Sequence, residues 1–160
     1  MSRPQARALS IIERLAEMIR LHAAEHPDLW LAIPATIVTE PSASVDTLPR
    51  PIVEIEVTGS EPADGGSIDL EGDRISLTLW LWSEDPESPQ RALLELVADV
   101  RRAVIGNRQM EDSAGVPFLA CGQLIDKGYT VATDFDEGGA GRGLAEYRLD
   151  AEYQWTPATA

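Results

Sequence analysis

Two imidazoles and a carboxylate stand together in His22-Ala23-Ala24-Glu25-His26, a spacing at which one helix can offer two ligands to a zinc ion and hold a glutamate beside it as a base. Pro27 follows directly. A proline there ends the helix at the second histidine, whereas such a metal site needs both ligands on a continuous rigid helix. The ordinary role of these side chains is a solvated helix terminus, where imidazoles offset the macrodipole.

The other chemically suggestive groups meet similar objections. Asp134, Asp136 and Glu137 precede Gly138 and Gly139 as in a calcium loop, but the closing glutamate required at the twelfth position is missing, because Glu146 arrives one residue late and inside a strand pattern. Gly139-Ala140-Gly141-Arg142-Gly143 has the composition of a phosphate cradle. Such cradles run from a strand into a helix, and this one runs into a strand. Cys121, the one cysteine, sits in Phe118-Leu119-Ala120-Cys121-Gly122, where a free cysteine serves as a small buried hydrophobe. The histidines it would need for nucleophilic catalysis lie in a distant helix terminus. No catalytic residue, metal site or cofactor site follows from these groups.

The elements that would position any site are easier to read. Leu9, Ile12, Ala16, Ile19 and Ala23, flanked by Leu15, recur at helical spacing over residues 4–25, with Ser2 as a cap and Pro27 closing the segment. A short strand is expected at 35–39. Residues 51–58 alternate Val53, Ile55 and Val57 against Ile52, Glu54 and Glu56, and 74–82 alternate Ile75, Leu77, Leu79 and Leu81 against Ser76, Thr78, Trp80 and Trp82. A period of two marks half-buried strands, so these two are expected to pair antiparallel across the long connection 59–73. Ser88-Pro89 opens a second helix over 88–106, with Leu93, Leu96, Val97, Val100 and Val104 as its stripe, Leu94 and Ile105 widening it, and Gly106-Asn107 as a left-handed stop. A strand meander fills 118–155: strands at 118–125 and 128–133 joined by a turn at Asp126-Lys127-Gly128, a Gly-rich acidic loop, then a long strand with Ala145, Tyr147, Leu149, Ala151, Tyr153 and Trp155 on one face. Residues 156–160 are expected to fray.

Residues 1–160 thus read as a single α+β domain, with a mixed, mostly antiparallel sheet of four to six strands and two helices on one face. The longest apolar stretches fall well short of the ~20 residues that cross a bilayer, and the start Met-Ser-Arg-Pro lacks an apolar signal core. The expectation is no membrane, and one cysteine fits a reducing compartment. The net charge of −14 is unevenly spread. Residues 38–90 hold twelve acids against Arg50 and Arg74, while 91–109 hold four arginines against Glu95 and Asp99. Clustered cations, which a phosphate backbone requires, are absent from the strand and loop segments, so specific nucleic-acid binding is not expected.

Trp80 and Trp82 are the feature this account leaves over. Both lie on the strand face opposite the leucines, so helices covering one face leave two indoles on the other. That face meets either another element of the same chain or a second subunit, and the second option makes Trp80 and Trp82 interface residues.

The order of these elements, with a strand ending Leu79-Trp80-Leu81-Trp82, a helix opening at Ser88-Pro89, and Asp134-Phe135-Asp136-Glu137-Gly138 ahead of Ala145-Glu146-Tyr147-Arg148-Leu149, resembles the tail terminator or tail completion proteins of long-tailed bacteriophages, of the minor tail protein U type. The resemblance covers element order over residues 4–155 and rests on layout and length. It implies a small structural subunit without enzymatic activity that forms a homo-oligomeric ring, usually hexameric, on the last ring of the tail tube, stops tube growth and joins tail to head. The implied partners are tail-tube and head-connector proteins, with DNA passing through the channel without specific binding. The implied location is the virion tail, with assembly in the host bacterial cytoplasm. The long connection 59–73 has no assignable motif in that layout. From a different class, a small acidic intracellular binding or adaptor module fits the same composition, its acidic surface serving as the recognition face.

Overall fold

The computed structural model describes residues 7–41, 44–62, 71–119, 122–135 and 137–155. The elements run α1 (Arg7–Glu25), β1 (Thr36–Val38), a short 3-10 turn (Val45–Thr47), β2 (Ile52–Pro62), β3 (Glu71–Glu84), α2 (Pro89–Gly106), β4 (Leu124–Phe135) and β5 (Gly141–Trp155). The Ser2 cap, the start of the first helix at Pro4, residues 63–70 of the long connection, Cys121, Asp136 and residues 156–160 lie outside the described residues.

The protein is α+β, with two helices and a five-stranded mixed sheet in the order β1-β2-β3-β5-β4. β1 is parallel to β2, and the other pairings are antiparallel. The spine is β3 against β5, in register without a break from Glu71↔Trp155 to Glu84↔Arg142. Because side chains alternate along a strand, this register puts Ile75, Leu77, Leu79 and Leu81 beside Ala151, Leu149, Tyr147 and Ala145 on one face, each at most 1% exposed. Both helices pack on that face. Ile11, Leu15 and Ile19 from α1 and Leu93, Leu96, Val97 and Val100 from α2 complete one continuous core with Val53 and Ile55 of β2. Each such side chain contributes about 1.5–3 kcal/mol by leaving water.

Several local expectations are corrected by packing. Leu9 faces outward and is 48% exposed, while the rest of the expected stripe, Ile12, Leu15, Ala16, Ile19 and Ala23, is buried and is widened by Ile11 and Met18. Leu94 and Ile105 likewise stay outside the α2 stripe. The Ser88 side chain makes no capping bond. In the turn before the helix, Asp85 Oδ1 accepts from the amides of Glu87 and Ser88 at 2.9 and 2.7 Å, and these bonds hold the Asp85 carboxyl below its ordinary range. Gly106-Asn107 is not a left-handed stop. Asn107 has φ −145° and ψ 66° and exchanges two hydrogen bonds with the Glu111 backbone, while the positive φ falls on Met110 at 56°.

The largest correction concerns the meander. Residues 118–125 and 128–133 are not two strands around a turn. Leu124–Phe135 is one strand, and Asp126-Lys127-Gly128 is a bulge within it, where the register to β5 shifts between Asp126 and Tyr129. Gly128 adopts φ 85°, and its amide donates to Asp126 Oδ1 at 2.8 Å. A short polar side chain followed by a left-handed glycine serves a bulge as well as a hairpin, so local chemistry alone does not separate them.

The Gly-rich run before β5 has a packing cause. A Cβ on Gly141 would sit 2.4 Å from the Asp85 carbonyl oxygen and 2.7 Å from Pro89, and one on Gly143 would meet Ser83 Oγ at 2.6 Å and Leu93 at 3.0 Å. These glycines let the start of α2 rest directly on the sheet. Gly141→Ala should therefore force the β3–α2 connection outward and destabilise the fold by about 1–3 kcal/mol, as overpacking does, read from the midpoint of urea unfolding. An unchanged midpoint would remove close approach as the reason for glycine here.

Candidate assembly surface

His22 lies in the last turn of α1 and His26 one residue past its end, with rings stacked 4.6 Å apart. Both Nδ1 atoms are engaged locally. Trp30 Nε1 donates to His22 Nδ1 at 2.8 Å, and His26 Nδ1 lies 3.2 Å from the His22 carbonyl. Among the described residues no group of three or more His, Cys, Asp or Glu side chains could hold a metal ion. Chemically, His22 acts as an acceptor that seats Trp30, which is only 4% exposed. Asp134 Oδ1 accepts the amide of Phe135 at 2.8 Å, and its cross-strand neighbour is Arg142.

Trp80 and Trp82 are half-buried on the helix-free face of the sheet. Trp80 Nε1 donates to Glu56 Oε2 on β2 at 3.0 Å. Trp82 is partly sheltered by its own chain: the Arg50 guanidinium lies 5.9 Å from its ring centroid, and Ile52 opposite it is fully buried. Its indole nitrogen is buried with no acceptor among the described residues. Beside it lies a hollow of about 240 Å³, lined in part by Leu144 of β5 and by Ala132, Thr133 and Asp134 of β4.

An extensive apolar surface lies on the helix side, where sequence reasoning did not place it. A groove of about 720 Å³ runs between the outer face of α2 and β4, lined by Leu31, Pro89, Leu94, Ala98, Thr133 and Phe135, with Arg91, Glu95, Asp99 and Arg102 along it. Leu31 is 74% exposed and Phe135 56%. Two polar anchors fix this groove. Asp99, buried within α2, accepts the amides of both Leu31 and Ala32 at 3.0 Å and also a bond from Arg102, while Arg102 donates to the Leu29 carbonyl at 2.7 Å. This clamp holds the segment after α1 against α2 and leaves Leu31 standing in water. The second anchor is Asp126 in the bulge, which takes bonds from Gly128, from Arg101 of α2 at 2.9 Å and from Tyr147 at 3.1 Å. Burial raises its carboxyl pKa, but these donors outweigh it and the net shift is downward. Burial and the Asp126 charge push the Tyr147 phenol well upward. A polar residue inside the apolar stripe of α2 was the visible signal for Asp99, yet its partners lie 67 and 68 residues away.

Two outcomes follow from this chemistry. Asp99→Ala leaves two backbone amides without an acceptor, at about 1–3 kcal/mol, and should lower the unfolding midpoint clearly more than Asp99→Asn, which keeps a carbonyl oxygen; equal effects would exclude the clamp. His22 is held below its ordinary pKa of 6.5 by burial first, then by His26 and Arg102, with Glu25 and Asp99 opposing. A depressed imidazole pKa means the unfolded chain binds the proton more readily. Its contribution is complete above the unfolded pKa and is lost as pH falls below about 6.5, because a proton on Nδ1 sets two donors face to face with Trp30. Denaturation midpoints should drop between about pH 7 and about pH 5, and His22→Gln should flatten that slope; parallel slopes would exclude His22 as its source.

No family model and no curated protein matches the chain. Among solved structures it is similar to a chain described as "Virion of native gene transfer agent (GTA) particle", at 12% identity and a TM-score of 0.42, over 88% of this chain and 91% of that one.

Proposed function

We propose that the protein is a structural subunit of a phage or prophage-derived tail, which caps the tail tube and joins tail to head by closing into a ring of identical copies. It acts by shape and self-association, with no catalytic residue. The observation that carries this reading is the groove between α2 and β4, where Leu31, Leu94 and Phe135 stand exposed together. Contiguous apolar surface of this kind marks a protein contact, and a heterologous contact between copies closes a ring when its rotation closes. Supporting it, Trp82 carries a buried N–H without an acceptor among the described residues, a state that native proteins resolve with a partner group. The hollow beside Trp82 is lined in part by Ala132, Thr133 and Asp134 of β4, so one neighbour along that edge can reach both surfaces. The charge of −14 suits a channel through which DNA slides without sticking, since an acidic lining repels phosphates.

Light scattering or native mass spectrometry tests the reading. The expected mass is several times 17.4 kDa at high protein concentration or on adding tail-tube protein. A species that stays at 17.4 kDa under both conditions would favour the acidic adaptor module instead. Trp82→Glu should abolish the assembled mass while leaving the circular dichroism and unfolding midpoint near wild type; a variant that unfolds as a monomer would return Trp82 to a purely internal role.

A further inference from the structure

We propose that copies of this chain join edge to edge in one sheet, residues 129–135 of β4 in one copy pairing antiparallel with residues 55–62 of β2 in the next. The inference rests on the ring reading and adds to it the surfaces that meet.

Both stretches are open among the described residues. β4 is last in the sheet order, and β1 covers only Ile52, Val53 and Glu54 of β2. Beyond the sheet ladders, backbone bonds reach β4 only at Leu124, whose amide donates to the Arg108 carbonyl, and 55–62 not at all. Along 129–135, Asp134 satisfies the amide of Phe135 locally. A strand with a neighbour on one side leaves alternate N–H and C=O groups pointing outward, and such a row is a template for another strand unless charge, proline or a bulge blunts it. Those defences stand only at the margins. Lys127 and the bulge precede Tyr129, and Asp134 comes near the end. Tyr129-Thr130-Val131-Ala132-Thr133 carries no charge and no proline, favours a strand conformation, and is exposed throughout. On β2 the open stretch ends at Pro62, which has no amide to donate.

Length and direction also agree. The two stretches hold seven and eight residues. β2, β3, β5 and β4 alternate in direction, so β4 runs opposite to β2. A copy added at the edge with the same face and sense therefore meets β4 with an antiparallel β2, and repetition of that step is the heterologous contact that builds a ring. Faces match as well. Thr133 and Phe135 lie on the helix side of β4, opposite Gly143 and Gly141, where they would meet Val57 and Ile55 of the incoming strand. α1 packs over its own β2. The incoming α1 thus lands beside α2 and covers the groove at Leu94 and Phe135.

Proline substitution and hydrogen exchange on the full chain test this. Consecutive amides of β4 alternate between β5 and the open edge, so of Thr130→Pro and Val131→Pro one removes a ladder bond and the other only an outward N–H. The variant that keeps the wild-type melting temperature should fall to 17.4 kDa where wild type is assembled. In wild type, exchange at both 129–135 and 55–62 should slow on assembly, with β3 unchanged; this readout decides the matter if both variants unfold. A stable variant that still assembles, or exchange that does not slow in these segments, overturns edge pairing and leaves the ring standing. A wild type that remains at 17.4 kDa at high concentration and with tail-tube protein overturns both.

Discussion

The pairing of β3 with β5 is the constraint on which the remaining structure depends. Its register runs unbroken from Glu71↔Trp155 to Glu84↔Arg142, and since side chains alternate with a period of two, that single alignment fixes every residue on either face. One residue of slip would turn Leu77, Leu79, Tyr147 and Leu149 toward the helix-free side and remove the surface on which both helices rest. The glycines of β5 belong to the same constraint. Gly141 and Gly143 are small because α2 begins directly above them, against Asp85, Pro89 and Leu93.

From that spine the chain is finished unequally on its two flanks. On one side β2 is covered by a strand of three residues, and on the other β4 has no neighbouring strand beyond β5 among the described residues. Two polar anchors shape the helix-side groove beside β4: Asp99 with Arg102 holds the segment bearing Leu31 to α2, and Asp126 with Arg101 ties the bulge to the same helix. Buried carboxylates with several donors are costly unless fully satisfied, and their use here keeps apolar side chains at the surface.

The helix-free face works differently. Its tryptophans are neither naked nor fully enclosed, since Trp80 is tied to Glu56 and Trp82 lies near Arg50 beside a hollow lined in part by β4. The histidine motif stays apart from both surfaces in its chemistry. His22 seats Trp30 through a neutral ring nitrogen, which makes it a source of acid sensitivity in the fold.

What the residues themselves settled was whatever depends on near neighbours in the chain. Alternation in 74–82 and 144–155 set the buried faces of β3 and β5, and helical spacing set α2, because periods of two and 3.6 are local geometry. Tertiary structure alone decided the rest. Asp126-Lys127-Gly128 became a bulge rather than a turn because β5 supplies an unbroken partner on both sides of it. The Ser88 side chain was left without a capping bond, and Leu9, Leu94 and Ile105 were left outside the core, because helix rotation is fixed by the sheet below. The groove joins Leu31, Leu94 and Phe135 from three distant segments, and no pattern along the chain records which strand ends without a neighbour. Edges and grooves are properties of what is absent beside a residue in space, and only the packed fold determines that.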